Sequence, residues 1–341
     1  MVEDAWVDEV HAGAFVADAH ADSLLWNRDL AERHGRGHAD FPRLIEAGVK
    51  LQCFTVVTRG FPIVGGFPLF AAWVGWPRQA LRDEWTRALY QLDALESACR
   101  RSGGRAAVAR TRVDLARNAG QGRLSAVLGV EGAHALCGEP GRVDALWERG
   151  VRFMSLTHLS NNEVGGSSFQ LARERGLTEL GRAVLDRMAA VGMAVDLAHA
   201  SRTTMDDVLA HGSAKVFCSH TGVHAATPMW RNLPDAALQR VASRGGFIGV
   251  ILATEYLGGD SLEHFLRHLE HALEVAGEDR VGLGSDFDGM IHLPRPMRDA
   301  RDLKLITRAL LTRGHGPARV QKVMGGNLRR FLEEQVMPEE L

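Results

Sequence analysis

Apolar residues along this chain fall into short unbroken runs, separated by longer stretches in which they recur at three- and four-residue spacing. The short runs predict strands at residues 15–19 (FVADA), 49–57 (VKLQCFTVV), 125–130 (SAVLGV) and 151–156 (VRFMSL). Four more follow: the two runs leading to His199 and His220, then 246–252 (GFIGVIL) and 281–285 (VGLGS). Helical spacing lies between them at 83–101, 141–149, 176–191, 235–244 and 261–275, and closes the chain at 299–313 and 318–335. Gly192 is placed to stop the helix at 176–191, and Thr203 or Thr204 to cap the next. Strands alternating with helices predict a single α/β domain over residues 1–341, a (β/α)8 TIM-type barrel. No internal repeat competes with that reading.

In such a barrel, chemistry sits at the C-terminal ends of the strands. The polar residues at those ends are His20, Asp22, Glu131, His158, His199, His220 and Asp286. In an extended chain His20 and Asp22 share one face. The strands ending at His199 and His220 are joined by one helix-sized segment, so parallel pairing brings both imidazoles to one rim. Each residue alone is more often structural, but together they suggest a metal centre. A carboxylate directly after a buried run, as at Glu131, must be paired or coordinated, because leaving it bare costs about several kcal/mol. Two divalent metals sharing a bridging hydroxide are one way to use such a cluster, and they need a bridging anion from the protein. Lys50 and Lys215 stand at strand starts, on the wrong rim for a carboxylated lysine. Glu131 is therefore the candidate bridge, with His20 and Asp22 on one metal and His199 and His220 on the other. Nitrogen and oxygen ligands without thiolate suit zinc best, two per chain, although manganese or cobalt fits the same cage.

Composition narrows the partners. A formal charge of −2 gives no basic field for nucleic acid or an anionic membrane, which leaves small molecules. Cys53, Cys99, Cys137 and Cys218 lack the spacing of a zinc knuckle or redox pair and read as free thiols. The acidic N-terminal stretch does not look like a signal peptide, so a cytoplasmic location is expected. The apolar stretch at 61–76 is too short to span a membrane, is broken by proline and glycine, and reads as a packed loop. Its Trp73 and Trp76 suggest either a hydrophobic lid or a homodimer contact.

Several motifs carry a family likeness: HAD at 20–22, GVEGAHAL at 129–136, LTHLSNN at 156–162, GMAVDLAHAS at 192–201, CSHTGVHAATPMWRNLPD from 218, and GEDRVGLGSDFDG from 277. In this ordered set, spread over nearly the whole chain, the sequence resembles the membrane (renal) dipeptidase family of zinc peptidases. The resemblance implies a metal-dependent dipeptidase acting on small dipeptides, L,D-dipeptides among them. It further implies that His20, Asp22, Glu131, His199 and His220 hold two zinc ions, and that His158 polarises the substrate. Arg231 would hold the substrate carboxylate, and Asp286 would be the catalytic acid. Tyr256 is a candidate pocket residue reached from the seventh strand. The alternative is another dinuclear amidohydrolase acting on a lactone, cyclic amide or phosphotriester. At the first motif the family commonly reads D-G-H-N-D, whereas Asp18-Ala19-His20-Ala21-Asp22 stands here, so an amide beside the metals is missing.

Other histidines read more plainly. His264, His268 and His271 share a helix face but lack the H-E-x-x-H pattern and suit packing or solvent. His134 and His224 lie beyond their strand ends in loops. Asp288 is read as a loop cap rather than the acid.

Overall fold

A parallel sheet covered on both faces needs strands that are buried throughout, and the continuous apolar runs supply them. The computed structural model describes residues 2–60 and 66–340. Its strands are β1 (Val16–Ala21), β2 (Val49–Val57), β3 (Ala106–Val108), β4 (Leu124–Glu131), β5 (Val151–Ser155), β6 (Ala194–Asp196), β7 (Val216–Thr221), β8 (Ile248–Val250) and β9 (Val281–Leu283). Pairing is parallel throughout, in the order β1-β2-β4-β5-β6-β7-β8-β9, with β3 added against the start of β4. β3 was not anticipated, because three residues carry no readable period.

The barrel closes where its first strand meets the segment after its last. Ala21 and Phe287 form a parallel bridge, and the Asp22 amide donates to the Phe287 carbonyl at 2.8 Å. Beneath that seam the buried Asp18 carboxylate accepts from the Ser285 amide and hydroxyl, both at 2.7 Å, and from Gln52 Nε2 at 2.6 Å. Burial pushes the Asp18 carboxyl above the usual carboxylate range, against the pull of those bonds. The closure therefore joins residues 267 positions apart.

A separate apolar cluster, with Ala17, Leu51, Val127, Phe153, Ala194 and Phe217 from the strands, fills the N-terminal end of the barrel. Phe153 and Phe217 meet edge to face with ring centroids 5.2 Å apart, and Phe331 from the C-terminal helical segment lies 5.1 Å from Phe217. Gly129 leaves room for this plug, since a Cβ there would stand 2.1 Å from the Phe153 ring.

The helices follow their sequence signals closely, with a few departures. Asp83 caps Glu84–Arg101 in a reciprocal capping box with Thr86. Thr178 caps Glu179–Val191, and Gly192 ends it in the left-handed conformation at φ 87°. Ser201, rather than Thr203 or Thr204, caps Arg202–Ala210: its hydroxyl accepts from the Thr204 amide. The predicted helix at 318–335 is divided into short pieces by two π-helical turns, Lys322–Gly326 and Leu332–Val336. A helix at Asp4–Gly13 was not anticipated. Within the apolar stretch expected to be a loop, Gly66–Trp73 is helical, while residues 61–65 lie outside the described residues. On this element Phe67 is buried, whereas Leu69 is 62% and Trp73 76% exposed; Trp76, just beyond it, is buried.

Candidate active site

The cluster is built on successive strand ends, which is what parallel pairing predicts. Glu131 is the last residue of β4, His158 follows β5 by three residues and His199 follows β6 by three. His20 and His220 are still within β1 and β7. His199 and Asp286 take positive φ, 63° in each case, at the turns that bring them to the rim. All are buried.

Glu131 is the hub. Its Oε1 lies 3.1 Å from His199 Nε2, 3.5 Å from His220 Nε2 and 3.6 Å from His20 Nε2. Its Oε2 lies 3.4 Å from His158 Nε2 and has no hydrogen-bond partner among the described residues. Asp22 Oδ1 is 3.3 Å from His20 Nε2 and accepts from Thr55 Oγ1 at 2.6 Å. Asp286 Oδ1 is 3.9 Å from His20 Nε2. The His199 and His220 Nε2 atoms face each other at 3.1 Å.

The electrostatics of the cluster favour a cation at its centre. Burial, joined by Arg231 and the neighbouring histidines, holds His199 and His220 well below the usual imidazole range, so both keep a lone pair for coordination. Burial also opposes a proton on His20, but Glu131, Asp22 and Asp286 overcome it and raise its pKa to about 10. The field that attracts a proton there attracts a divalent cation more strongly. Burial, with Asp22 and Glu131 nearby, pushes the Asp286 carboxyl well above the carboxylate range. The donor set fits metal: Glu131, His199 and His220 offer atoms within 4.8 Å of one another, as do His20, Asp22 and Glu131. The unpartnered Glu131 Oε2 and the facing Nε2 atoms are poorly satisfied otherwise.

A cavity of about 170 Å³ opens over the cluster. Asp22, Glu131, His158, His199 and Asp286 form its polar floor; Leu25, Val57, Phe67, Phe70 and Ile291 form an apolar wall, and Tyr256 faces it. Tyr256 sits on the short helix Thr254–Leu257 after β8 rather than on the strand itself. Arg231 is 3% exposed, and its guanidinium donates to the His220 carbonyl at 2.8 Å and lies 3.3 Å from His199 Nε2. Its Nε is without a partner among the described residues, and the guanidinium carbon stands 5.8 Å from the centre of the Tyr256 ring. The residues put forward from the sequence lie near one another, but Arg231 is not among those lining this cavity; it borders a smaller one of about 20 Å³ with His199, Trp230 and Leu233.

Four residues escaped the sequence reading: Thr55, Arg59, Asp196 and Ser219. Arg59 contributes its carbonyl, 2.8 Å from His158 Nδ1. Asp196 could have been noticed as a charge inside the apolar run MAVDLAH. His134, buried, reaches Ser160 at 3.2 Å and stays out of the cavity lining. His268 is fully buried and accepts from the Val223 amide, a packing role. Asp288 binds Ser23 at 2.6 Å, Arg28 at 2.5 Å and the His38 amide at 2.7 Å, so it clamps the loop after β1 as expected of a cap.

Comparison with known proteins fits this geometry. The profile of the family described as membrane dipeptidase (Peptidase family M19) matches residues 5–340. The dipeptidase verJ of Clonostachys rogersoniana is 30% identical over 321 residues, which cover 87% of this chain and 82% of that protein. A metallopeptidase from Rhodobacter sphaeroides, solved with a phosphinate mimic of the dipeptide L-Ala-D-Ala, superposes with a TM-score of 0.82 at 27% identity over 94% of this chain and 99% of that one. The probable dipeptidase PvdM of Pseudomonas aeruginosa shares the fold at a TM-score of 0.85 and 20% identity, covering 97% of each chain.

Proposed function

Because the chain belongs to the membrane dipeptidase family and is a metal-dependent dipeptidase, we propose that it holds two zinc ions and cleaves small dipeptides, including those with a C-terminal D-residue. The observation that carries this reading is the single Glu131 oxygen within 3.6 Å of three histidine Nε2 atoms, two on β1 and β7 and the third just past β6. His20 and Asp22 would hold one ion, His199 and His220 the other, and Glu131 both. When bound, two such ions polarise a carbonyl oxygen and lower the pKa of a water.

The remaining work falls to side chains of this chain. Asp286, whose carboxyl burial makes easy to protonate, takes a proton as the peptide carbonyl is attacked and passes it to the leaving amine nitrogen. His158 faces the scissile carbonyl; with Nδ1 against the Arg59 carbonyl, it can donate from Nε2 only as imidazolium. Arg231 holds the substrate carboxylate, its guanidinium fixed by the His220 carbonyl and backed by Tyr256. The apolar wall of Leu25, Val57, Phe67 and Phe70 favours a substrate with an apolar side chain. The mimic bound to the Rhodobacter relative supports the L,D class. Among the described residues no helix is long and apolar enough to cross a membrane, and all four cysteines are free thiols, which suits a cytoplasmic enzyme. The exposed Trp73 and Leu69 would serve a homodimer contact.

Elemental analysis of protein purified without chelator, with turnover of L,L- and L,D-dipeptides and of lactones, tests the whole. Two zinc ions per chain and cleavage of dipeptides alone are expected. Lactone turnover without dipeptide turnover would overturn the substrate assignment.

A further inference from the structure

Below the metal-facing side of the cluster, one hydroxyl touches two of the proposed ligands. Ser219 Oγ lies 2.8 Å from His220 Nδ1 and 3.2 Å from His20 Nδ1, and it donates to Asp196 Oδ2. Asp196 Oδ1 is occupied separately, accepting from the Ala198 amide at 3.0 Å and the Ser219 amide at 2.9 Å. Ser219 and Asp196 are buried, as are both rings, so no bulk water substitutes for any of these bonds.

A hydroxyl has one proton to give and two lone pairs to accept with. Asp196 takes the proton, so both contacts to the rings must be received by Ser219 Oγ. Each ring then carries a proton on Nδ1 and turns Nε2 to Glu131. We infer that Ser219, oriented by Asp196, is a positioning residue that fixes the Nδ1–H tautomer of His20 and His220 together, one ligand for each of the two ions. The inference rests on the two-metal reading above and adds to it a shared support beneath both ions. His199 supplies an internal contrast: its Nδ1 is buried without a partner among the described residues, so nothing at that atom sets its tautomer.

The amide variant Asp196→Asn gives a directional test. Oδ1 receives two backbone N–H groups, so the amide oxygen must occupy that place and the NH2 must face Ser219. The hydroxyl proton then turns onto a ring nitrogen, and a ring Nδ1 must become an acceptor. Ser219→Ala removes the acceptor without imposing the opposite tautomer.

Long-range proton–nitrogen NMR of metal-free protein labelled with [15N]histidine reads the two ring nitrogens of His220 separately. The parent should show a protonated Nδ1 and a bare Nε2. Ser219→Ala should give a tautomer mixture, and Asp196→Asn should shift it toward bare Nδ1. Zinc affinity, measured by chelator competition on the same samples, should fall about 10- to 100-fold in both variants, the usual scale for a group that orients a ligand. Ser285→Ala is the control, a buried hydroxyl bonded to Asp18 and the His20 carbonyl but to no ring nitrogen; it should leave the His220 signature as in the parent. A parent with bare His220 Nδ1, or a Ser219→Ala protein with parental tautomer and zinc affinity, overturns the inference. A parent that binds fewer than two zinc ions overturns the metal reading instead.

Discussion

The two ends of the barrel interior are equally buried and opposite in kind. At the N-terminal end Phe153, Phe217, Phe247 and Phe331 meet through ring contacts that need no particular charge or proton. At the C-terminal end Asp22, Glu131, His158, His199 and Asp286 crowd together with polar atoms that lack partners. Burial alone therefore does not distinguish structure from function. What distinguishes them is whether each buried group is satisfied by its neighbours, as in the plug, or held against its own preference, as at the rim.

This contrast predicts separable losses. Glu131→Gln removes the charge between the two cation positions, so bound metal should fall below two per chain with nearly complete loss of turnover; retention of both metals and normal rate would break the contrast at its centre. Phe217→Ala should destabilise the fold by about 3–5 kcal/mol in denaturant unfolding, while the surviving native protein keeps its metal content. A loss of metal without loss of stability there would show that the two ends are not independent. Asp286→Asn should lower kcat about 10²-fold, with metal content nearly unchanged. With the titrating carboxyl gone, the acidic limb of the parent pH–rate profile, on which a protonated Asp286 can no longer take a proton, should disappear. Asp288→Asn should be smallest in rate, since that carboxylate touches only the loop clamp; it should instead cost about 1–3 kcal/mol of stability by weakening bonds to Ser23, Arg28 and the His38 amide. If Asp288→Asn lost rate and Asp286→Asn lost metal, their roles would exchange.

The sequence carried the site better than its supports. A histidine or carboxylate at the end of an apolar run marks a rim position, because the run's length and the parallel topology together decide where it lands. That is why His20, Glu131 and His220 could be placed at the rim without coordinates. Asp196 and Ser219 were passed over because their meaning depends on what lies across the strand: a serine between Cys218 and His220 has no period of its own. Residues 66–73 looked like a loop because Pro68 and glycine are poor helix formers, yet proline is tolerated in a helix's first turn and tertiary packing of Phe67 and Ala71 settles the rest. The cap on Arg202–Ala210 was misplaced by two or three residues because Ser201, Thr203 and Thr204 are all competent cap types; the backbone geometry selects Ser201.

The seam between Ala21 and Phe287 has a consequence for the order of folding. Asp18 and Ser285, which meet beneath it, are 267 positions apart, so during synthesis β1 must wait for its second neighbour until that stretch has been made. Until then Asp18 faces no Ser285, and His20 stands on a strand with one edge unpaired. A nascent chain released short of β9 would carry all five proposed ligands and still be unable to hold them in register. Closure of the barrel and capture of metal then become one late event, and a chelator added during refolding should slow the recovery of native protein more than it lowers the final yield of secondary structure.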